Sequence, residues 1–428
     1  MEKDYAFQIG TSNVRFGQGA TNEVGMDALD MGIKRAMVVT DPILSKMPFV
    51  ENVLDALHKK KIEYTLYDRV RVEPTDTSFK KAIDFAKSEP FDGFIAIGGG
   101  SSIDTAKAAN LYSTYPPNDF IDYVNAPIGK GLSVPGKIKP LIAIPTTAGT
   151  GSESTGIAVF DFEDTGTKTS IASEYLKPAL GIIDPENTRS QPPMVAASTG
   201  MDILVNAIES LTVIPYNQQF LRTPPNRRPL YQGCNPLTDM WSLQILKMIA
   251  QNIVRAVEDP GDDEARSMML MAVSIGKIGF GYAGCHLPHA MSYPVAGMVR
   301  DYQADGYPEE YLRPQIPHGI AVVVNAPAVV RYTAPACPEK HLQAAEVLGA
   351  DISGIIDDDA GNLLADQLIE LMKRFDLPNG LKSLGYNTDD IPKLVQGTLS
   401  QQRLVSMSSR KLERGDLERI FDAAMVCW

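Results

Sequence analysis

Between residues 35 and 185 short apolar runs alternate with amphipathic stretches, and this restricts the fold more than any other feature of the chain. "RAMVVTD" (35–41), "EYTLYD" (63–68), "GFIAIGGG" (93–100) and "PLIAIPTT" (140–147) have the length and apolar content of strands. "FVENVLDALHKK" (49–60), "SFKKAIDFAKS" (78–88) and "SSIDTAKAANLY" (101–112) fall between them and read as helices. Strands alternating with helices predict an α/β domain built on a parallel sheet covered on both faces. Ligands of such sheets bind at the carboxyl ends of the strands.

The strand-like runs stop after "LGIIDPENTRSQPPM" (180–194), and Pro192-Pro193 marks a boundary. Helical periodicity follows, in "VAASTGMDILVNAIESL", "LTDMWSLQILKMIAQNIVRAVED", "DEARSMMLMAVSIGKIGFGYAG" and "NLLADQLIELMKRFD". With 428 residues, two domains are expected: an α/β domain over 1–193 and an all-α domain over 194–428, with a cleft between them. A Pro- and Arg-rich loop at 215–236 is longer than most connections.

Composition excludes some classes of function. A net charge of -12 repels polyphosphate backbones, so no nucleic-acid partner is expected. No apolar run approaches the ~20 residues a membrane span needs. The opening "MEKDYAFQIGTSNVRFG" has neither a secretory apolar stretch nor an Arg- and Ser-rich presequence. The four cysteines are scattered without a CxxC pair and suit a reducing compartment, so the expected location is the cytoplasm. "YAFQIG" (5–10) offers an edge strand for pairing between subunits, giving a homodimer or higher homo-oligomer as the expected assembly.

In "IAIGGGSSIDTAKAAN" (95–110), Gly98, Gly99 and Gly100 join a strand to a helix and let backbone approach a phosphate. Ser101 and Ser102 add hydroxyls and N–H groups at the helix N-terminus, where the dipole favours an anion. The GxGxxG fingerprint is absent, and a plain tight turn is the alternative. "PTTAGTGSESTG" (145–156) places Thr146, Thr147, Thr150 and Ser152 at a second strand end on the same edge. Asp41 closes a third strand, where a carboxylate accepts the adenosine ribose hydroxyls and repels a 2′-phosphate, favouring NAD over NADP. An ordinary turn aspartate is the alternative there.

Three of the five histidines, His286, His289 and His318, crowd into "AGCHLPHAMSYPVAG" and "IPHGIAV". Upstream, Asp202 and Asn206 share one face of an apolar helix. One carboxylate with two imidazoles suits Zn2+ or Fe2+ with open coordination positions. The alternative is a hydrogen-bonded core cluster.

Together, "GGGSSIDTAKAAN", "PTTAGTGSESTG", "GMDILVNAIES", "HAMSYP" and "PHG" resemble, in this order and over nearly the whole chain, the iron-containing (group III) alcohol dehydrogenases. The resemblance implies a dehydroquinate synthase-like fold: an N-terminal dinucleotide domain, a helical metal domain, and hydride transfer between NAD and an alcohol or aldehyde. "VRVEPTDTSF", "PLYQGCNPLTD" and "GFGYAGCHLPHAMSYPVAG" look like one branch of that family. That branch oxidises 4-hydroxybutyrate to succinate semialdehyde and reduces 2-oxoglutarate to 2-hydroxyglutarate, recycling a bound cofactor. Its mitochondrial members carry a presequence, which is not seen here.

Carried over by position, the metal ligands fall on Asp202, Asn206, His289 and His318. Asn206 departs from the family's usual histidine, and an amide oxygen is the poorer ligand. Asp202, His289 and His318 suffice in the resembling glycerol dehydrogenases; the other outcome is a weak or emptied site. The cofactor set also takes in Asp104 and Lys168. His286, three residues before His289, is the expected proton relay on the ground that imidazole titrates near neutral pH, with a packing role as the alternative. Arg222, Arg227, Arg228 and Arg300 are candidate partners for a substrate carboxylate. Two rival expectations stand beside the hydroxy-acid oxidoreductase. One is an NAD-dependent dehydrogenase of short alcohols or diols; the other is a nucleotide-binding protein whose catalysis Asn206 impairs.

Overall fold

The computed structural model describes residues 2–10, 12–164, 166–221, 228–305 and 314–428, with the side chains of 277–280 left aside. The chain forms two compact units: Thr11–Gln191, and Met1–Gly10 together with Pro192–Trp428.

The first unit contains β1 (Asn13–Phe16), β2 (Arg35–Val39), β3 (Glu63–Tyr67), β4 (Gly93–Gly98) and β5 (Leu141–Pro145). An antiparallel pair, β6 (Ile157–Phe162) and β7 (Thr167–Ala172), comes next. Then β8 (Leu180–Ile183) completes a six-stranded sheet of order β1-β8-β5-β4-β2-β3. Every neighbour in that sheet is parallel. Successive strand residues point to opposite faces, and both faces are covered. Val38, Ile95 and Ile142 pack with Val24 and Ala28 of α1 (Val24–Asp30) and with Val50, Val53 and Leu57 of α2 (Pro48–Lys59). Met37, Phe94 and Ala96 pack with Ala82, Ile103 and Ala106, from α3 (Asp76–Ser88) and α4 (Gly100–Thr114). That double burial explains why the strands read as unbroken apolar runs rather than alternating ones. Gly98 pairs with Pro145 in the β4–β5 register, so the turns that follow leave the sheet side by side.

The second unit is helical. It begins with α5 (Pro193–Thr212), α6 (Pro236–Glu258), α7 (Asp263–Phe280), α8 (Leu287–Gly297) and α9 (His318–Val323). It continues through α10 (Ala326–Thr333), α11 (Pro338–Val347), α12 (Ala360–Arg374), α13 (Ile391–Leu399), α14 (Gln402–Val405) and α15 (Asp416–Ala423). Among the described residues no helix is long and apolar enough to cross a membrane.

The first ten residues, read from the sequence as part of the α/β domain, pack with the helical unit instead. Lys3 bridges to Phe220. Gln8 N–H donates to Gln232 Oε1 at 2.8 Å, and Gln232 Nε2 returns a bond to Gln8 O at 2.9 Å. Residues 5–10 form no strand, so the pairing edge invoked for a dimer is not there; the sheet's edge strands are β1 and β3.

Candidate active site

At the carboxyl edge of the parallel sheet, the β4–α4 turn lies against the loop after β5. A Cβ on Gly100 would stand 2.7 Å from Thr150 Cγ2, so only glycine admits this approach. Gly99, Gly100, Ser101, Thr147 and Thr150 keep exposure and line the surface that a phosphate can reach at the start of a 15-residue helix. Gly98, Ser102 and Thr146 are buried beneath them, and Thr146 N–H donates to Gly98 O at 3.2 Å. Asp41, at the end of β2, is buried and accepts from the N–H groups of Ile43 and Leu44, both at 2.9 Å.

Asp104 and Ser152, read from the sequence as nucleotide contacts, are buried in a network centred on Lys107. The Ser152 hydroxyl donates to Asp104 Oδ1. Lys107 Nζ reaches Ser152, Asp104 Oδ1 at 3.3 Å and the carbonyl of Ile157 at 2.7 Å. Val159 N–H donates to Asp104 Oδ2 at 2.9 Å. The network fastens β6 and the glycine-rich loop onto α4. Burial pulls the Lys107 amine below its usual range, with Asp104 and Glu153 opposing. Lys168 is also buried, bonded to Glu73 and 3.6 Å from Asp161 Oδ2. Lys107 was not legible in the sequence because its partners Ser152 and Ile157 lie 45 and 50 residues away and only the fold brings them to it.

In the helical unit three segments converge. Asp202, Asn206 and Glu209 are spaced by four and three residues along one face of α5. His289 lies in the first turn of α8, and His318 opens α9. A Cβ on Gly319 would fall 1.9 Å from Ser198 O, so this glycine is what lets α9 meet α5 closely enough to bring His318 in. Asp202 Oδ1 lies 3.4 Å from His289 Nε2 and 3.8 Å from His318 Nε2, and one donor atom of each residue falls within 4.8 Å of the other two. The His318 side chain keeps 27% of its exposure against 8% for His289 and 5% for Asp202, so the cluster is accessible on one side.

Glu209, missed from the sequence, orders this cluster. One oxygen accepts His289 Nδ1; the other accepts the backbone N–H groups of His286, at 2.9 Å, and His289, at 3.3 Å. A proton so fixed on Nδ1 leaves the Nε2 lone pair for a metal. Burial would raise the Glu209 carboxyl, but the His289 imidazole outweighs it and holds the group below its usual value. The signal in the sequence was an acid on the Asp202 face of an otherwise apolar helix. One carboxylate oxygen and two imidazole nitrogens, converging with one open side, fit a divalent metal. Asn206 Nδ2 faces His289 Nε2 at 2.9 Å, and a turn of its amide presents Oδ1 at the same place.

His286 stands apart from this convergence. It is buried, Nε2 lies 3.1 Å from Thr212 Oγ1, and Nδ1 makes no hydrogen bond among the described residues. Burial pushes its pKa down to about 4, with Glu209 opposing. Arg228 pairs with Asp4 at 2.7 Å and Arg300 pairs with Asp390. Arg222 and Arg227 lie outside the described residues.

Comparison with known proteins agrees with this geometry. Residues 11–185 match the family described as iron-containing alcohol dehydrogenase, and residues 231–425 match the C-terminal region of the Fe-containing alcohol dehydrogenase family. The chain is 50% identical to the mitochondrial hydroxyacid-oxoacid transhydrogenase of Bos taurus, over 99% of this chain and 90% of that one. For the Homo sapiens counterpart the identity is 48% with the same coverage. Among solved structures, a 1,3-propanediol oxidoreductase superposes with a TM-score of 0.84 at 27% identity, covering 98% of this chain and 100% of that one. The sulfoacetaldehyde reductase of Bifidobacterium kashiwanohense, in complex with NAD+, gives 0.78 at 26% identity over 99% of both chains. The relatives overturn the cytoplasmic expectation, because the transhydrogenases it matches are mitochondrial. Free cysteines do not separate the two compartments, since thiols persist in any reducing environment. With matching family descriptions over both units, full-length relatives near half identity and an Asp/His metal triad, the chain belongs to the iron-containing alcohol dehydrogenase family of oxidoreductases.

Proposed function

We propose that the protein is a metal-dependent, NAD-linked hydroxyacid-oxoacid transhydrogenase that oxidises 4-hydroxybutyrate and reduces 2-oxoglutarate. The observation that carries the proposal is the convergence of Asp202, His289 and His318 with Glu209 behind His289. The transhydrogenase relatives support the substrate pair. The NAD+ complex of the sulfoacetaldehyde reductase and the accessible Gly99–Ser101 turn support the cofactor.

Asp202, His289 and His318 would hold Fe2+ or Zn2+, which supplies Lewis acidity to a substrate oxygen. Asp202 contributes the only formal charge among the three donors. Glu209 keeps the His289 ring oriented and its proton on Nδ1. The Gly99–Ser101 amides receive the cofactor pyrophosphate at the start of α4, and the Asp41 carboxylate disfavours a 2′-phosphate. Oxidation of 4-hydroxybutyrate gives succinate semialdehyde, releasing one proton and passing a hydride to NAD+. Reduction of 2-oxoglutarate takes that hydride and a proton, so the pair closes without net consumption of cofactor.

The test is to mix purified protein with 4-hydroxybutyrate and 2-oxoglutarate, adding no nucleotide. Production of 2-hydroxyglutarate is expected. Turnover that begins only when NAD is supplied would make the protein an ordinary dehydrogenase with an exchanging cofactor, and no turnover in either case would remove the assignment.

A further inference from the structure

A hydroxy acid brings a carboxylate that must leave water, and this requires a cation near the metal donors. Both proposed substrates place that group alike: two methylenes separate the reacting carbon from a carboxylate in 4-hydroxybutyrate and from the distal carboxylate of 2-oxoglutarate. One cation at one distance therefore serves both half-reactions. Arg228 and Arg300 already hold carboxylates of their own.

Arg403, on α14, pairs with no carboxylate among the described residues. The residue is only partly buried, yet its Nη1 is sealed from solvent and makes no hydrogen bond. Its Cζ lies 4.6 Å from the centroid of the Tyr231 ring. The Tyr231 hydroxyl is 3.4 Å from Cys285 Sγ, and Cys285 joins Glu209 and His289 in a cluster whose donor atoms approach within 4.8 Å. Next to Arg403, Leu404 packs with Cys285, Ala290 and Tyr293. Tyr293 follows His289 by one helical turn of α8 and so shares its face. Burial pushes the Tyr231 phenol well above its ordinary range, so it supplies no counter-charge. A shielded guanidinium without an anion is costly, and is retained where an anion arrives.

We propose that Arg403 binds the distal carboxylate shared by the two substrates and so sets the preference for hydroxy acids over plain alcohols. This rests on the transhydrogenase reading above. Arg403→Gln should lower kcat/KM for 4-hydroxybutyrate by on the order of a hundredfold, chiefly through KM, with partial rescue in Arg403→Lys. The unmodified enzyme should be inhibited better by butyrate than by butyramide, and Arg403→Gln should lose that preference. A merely structural arginine would weaken both inhibitors together, and that result, or a preference left intact, overturns the proposal. Should the variants fail to fold, phenylglyoxal labelling of Arg403 in the unmodified protein, located by mass spectrometry, decides. Protection by butyrate but not by butyramide supports the assignment; equal labelling with either overturns it. An unmodified enzyme that does not turn over 4-hydroxybutyrate would instead sink the transhydrogenase reading, a result separable from the behaviour of Arg403.

Discussion

Glu209 reaches three donors at once: the ring nitrogen of His289 and the backbone N–H groups that open α8. Glu209→Gln keeps the shape of the side chain but removes the charge that holds the imidazole. We expect metal affinity to fall about 10–100-fold, with activity falling alongside. Metal content after dialysis against a graded chelator checks this, and circular dichroism should show an unchanged helical signal. A variant that keeps its metal as tightly as the parent protein would confine Glu209 to packing. Asp202, His289 and His318 were legible in the sequence because histidine is rare in this chain and two of the three crowd into neighbouring motifs. Glu209 was not, because its partner lies 80 residues away and only the fold brings them together. His286, suggested as a relay by its nearness to His289 in sequence, sits buried beside Thr212, and burial lowers its pKa to about 4.

At the level of elements, the crossing of α5 and α9 depends on one missing methyl group. With Ser198 O 1.9 Å from the place a Cβ would occupy, Gly319→Ala must push the two helices apart. We expect a cost of about 1–3 kcal/mol and a weaker grip on metal, because His318 precedes the obstruction by one residue. Thermal unfolding with and without added Zn2+ measures both, and a variant with unchanged melting and unchanged metal-induced stabilisation would refute the account. The buried strands β2, β4 and β5 were read to within two residues at each end, since strands covered on both faces are apolar throughout. β1 passed unnoticed: "NVRF" is four residues long, exposed or half-buried, and gains its place only by pairing with β8, far along the chain. The β6–β7 pair was missed for a related reason. "TKTSIA" carries polar side chains that are buried, among them Lys168, which only the fold supplies with partners.

Over the whole molecule, the departure from the sequence reading is the first ten residues, which join the helical unit. Asp4 anchors them: Arg228 Nε and Nη2 donate to its two oxygens at 3.0 and 2.7 Å, and the N–H groups of Tyr5 and Ala6 add further bonds. The Arg228 hydrogen bonds hold the Asp4 carboxyl below its ordinary value, against the opposing effect of burial. A carboxyl depressed in the folded state stabilises it above the unfolded pKa of about 3.9, and that contribution fades as pH falls through the lower folded value. The protection of the Asp4, Tyr5, Ala6 and Gln8 amides, taken relative to their intrinsic exchange rates, should therefore be high at about pH 6 and fall as pH drops below about 4. Asp4→Asn should remove the pH dependence and leave the segment less protected throughout, by about 1–2 kcal/mol. Identical protection in Asp4→Asn would show that the segment is held by other contacts.

The attachment of this segment also bears on how the protein is made. The ribosome releases the amino end first, yet Lys3 and Gln8 take their partners from Phe220 and Gln232, more than two hundred residues later. At roughly 5–20 residues per second, this stretch waits on the order of tens of seconds before its berth has been synthesised. During that interval "YAFQIG" stays open to a chaperone or a protease.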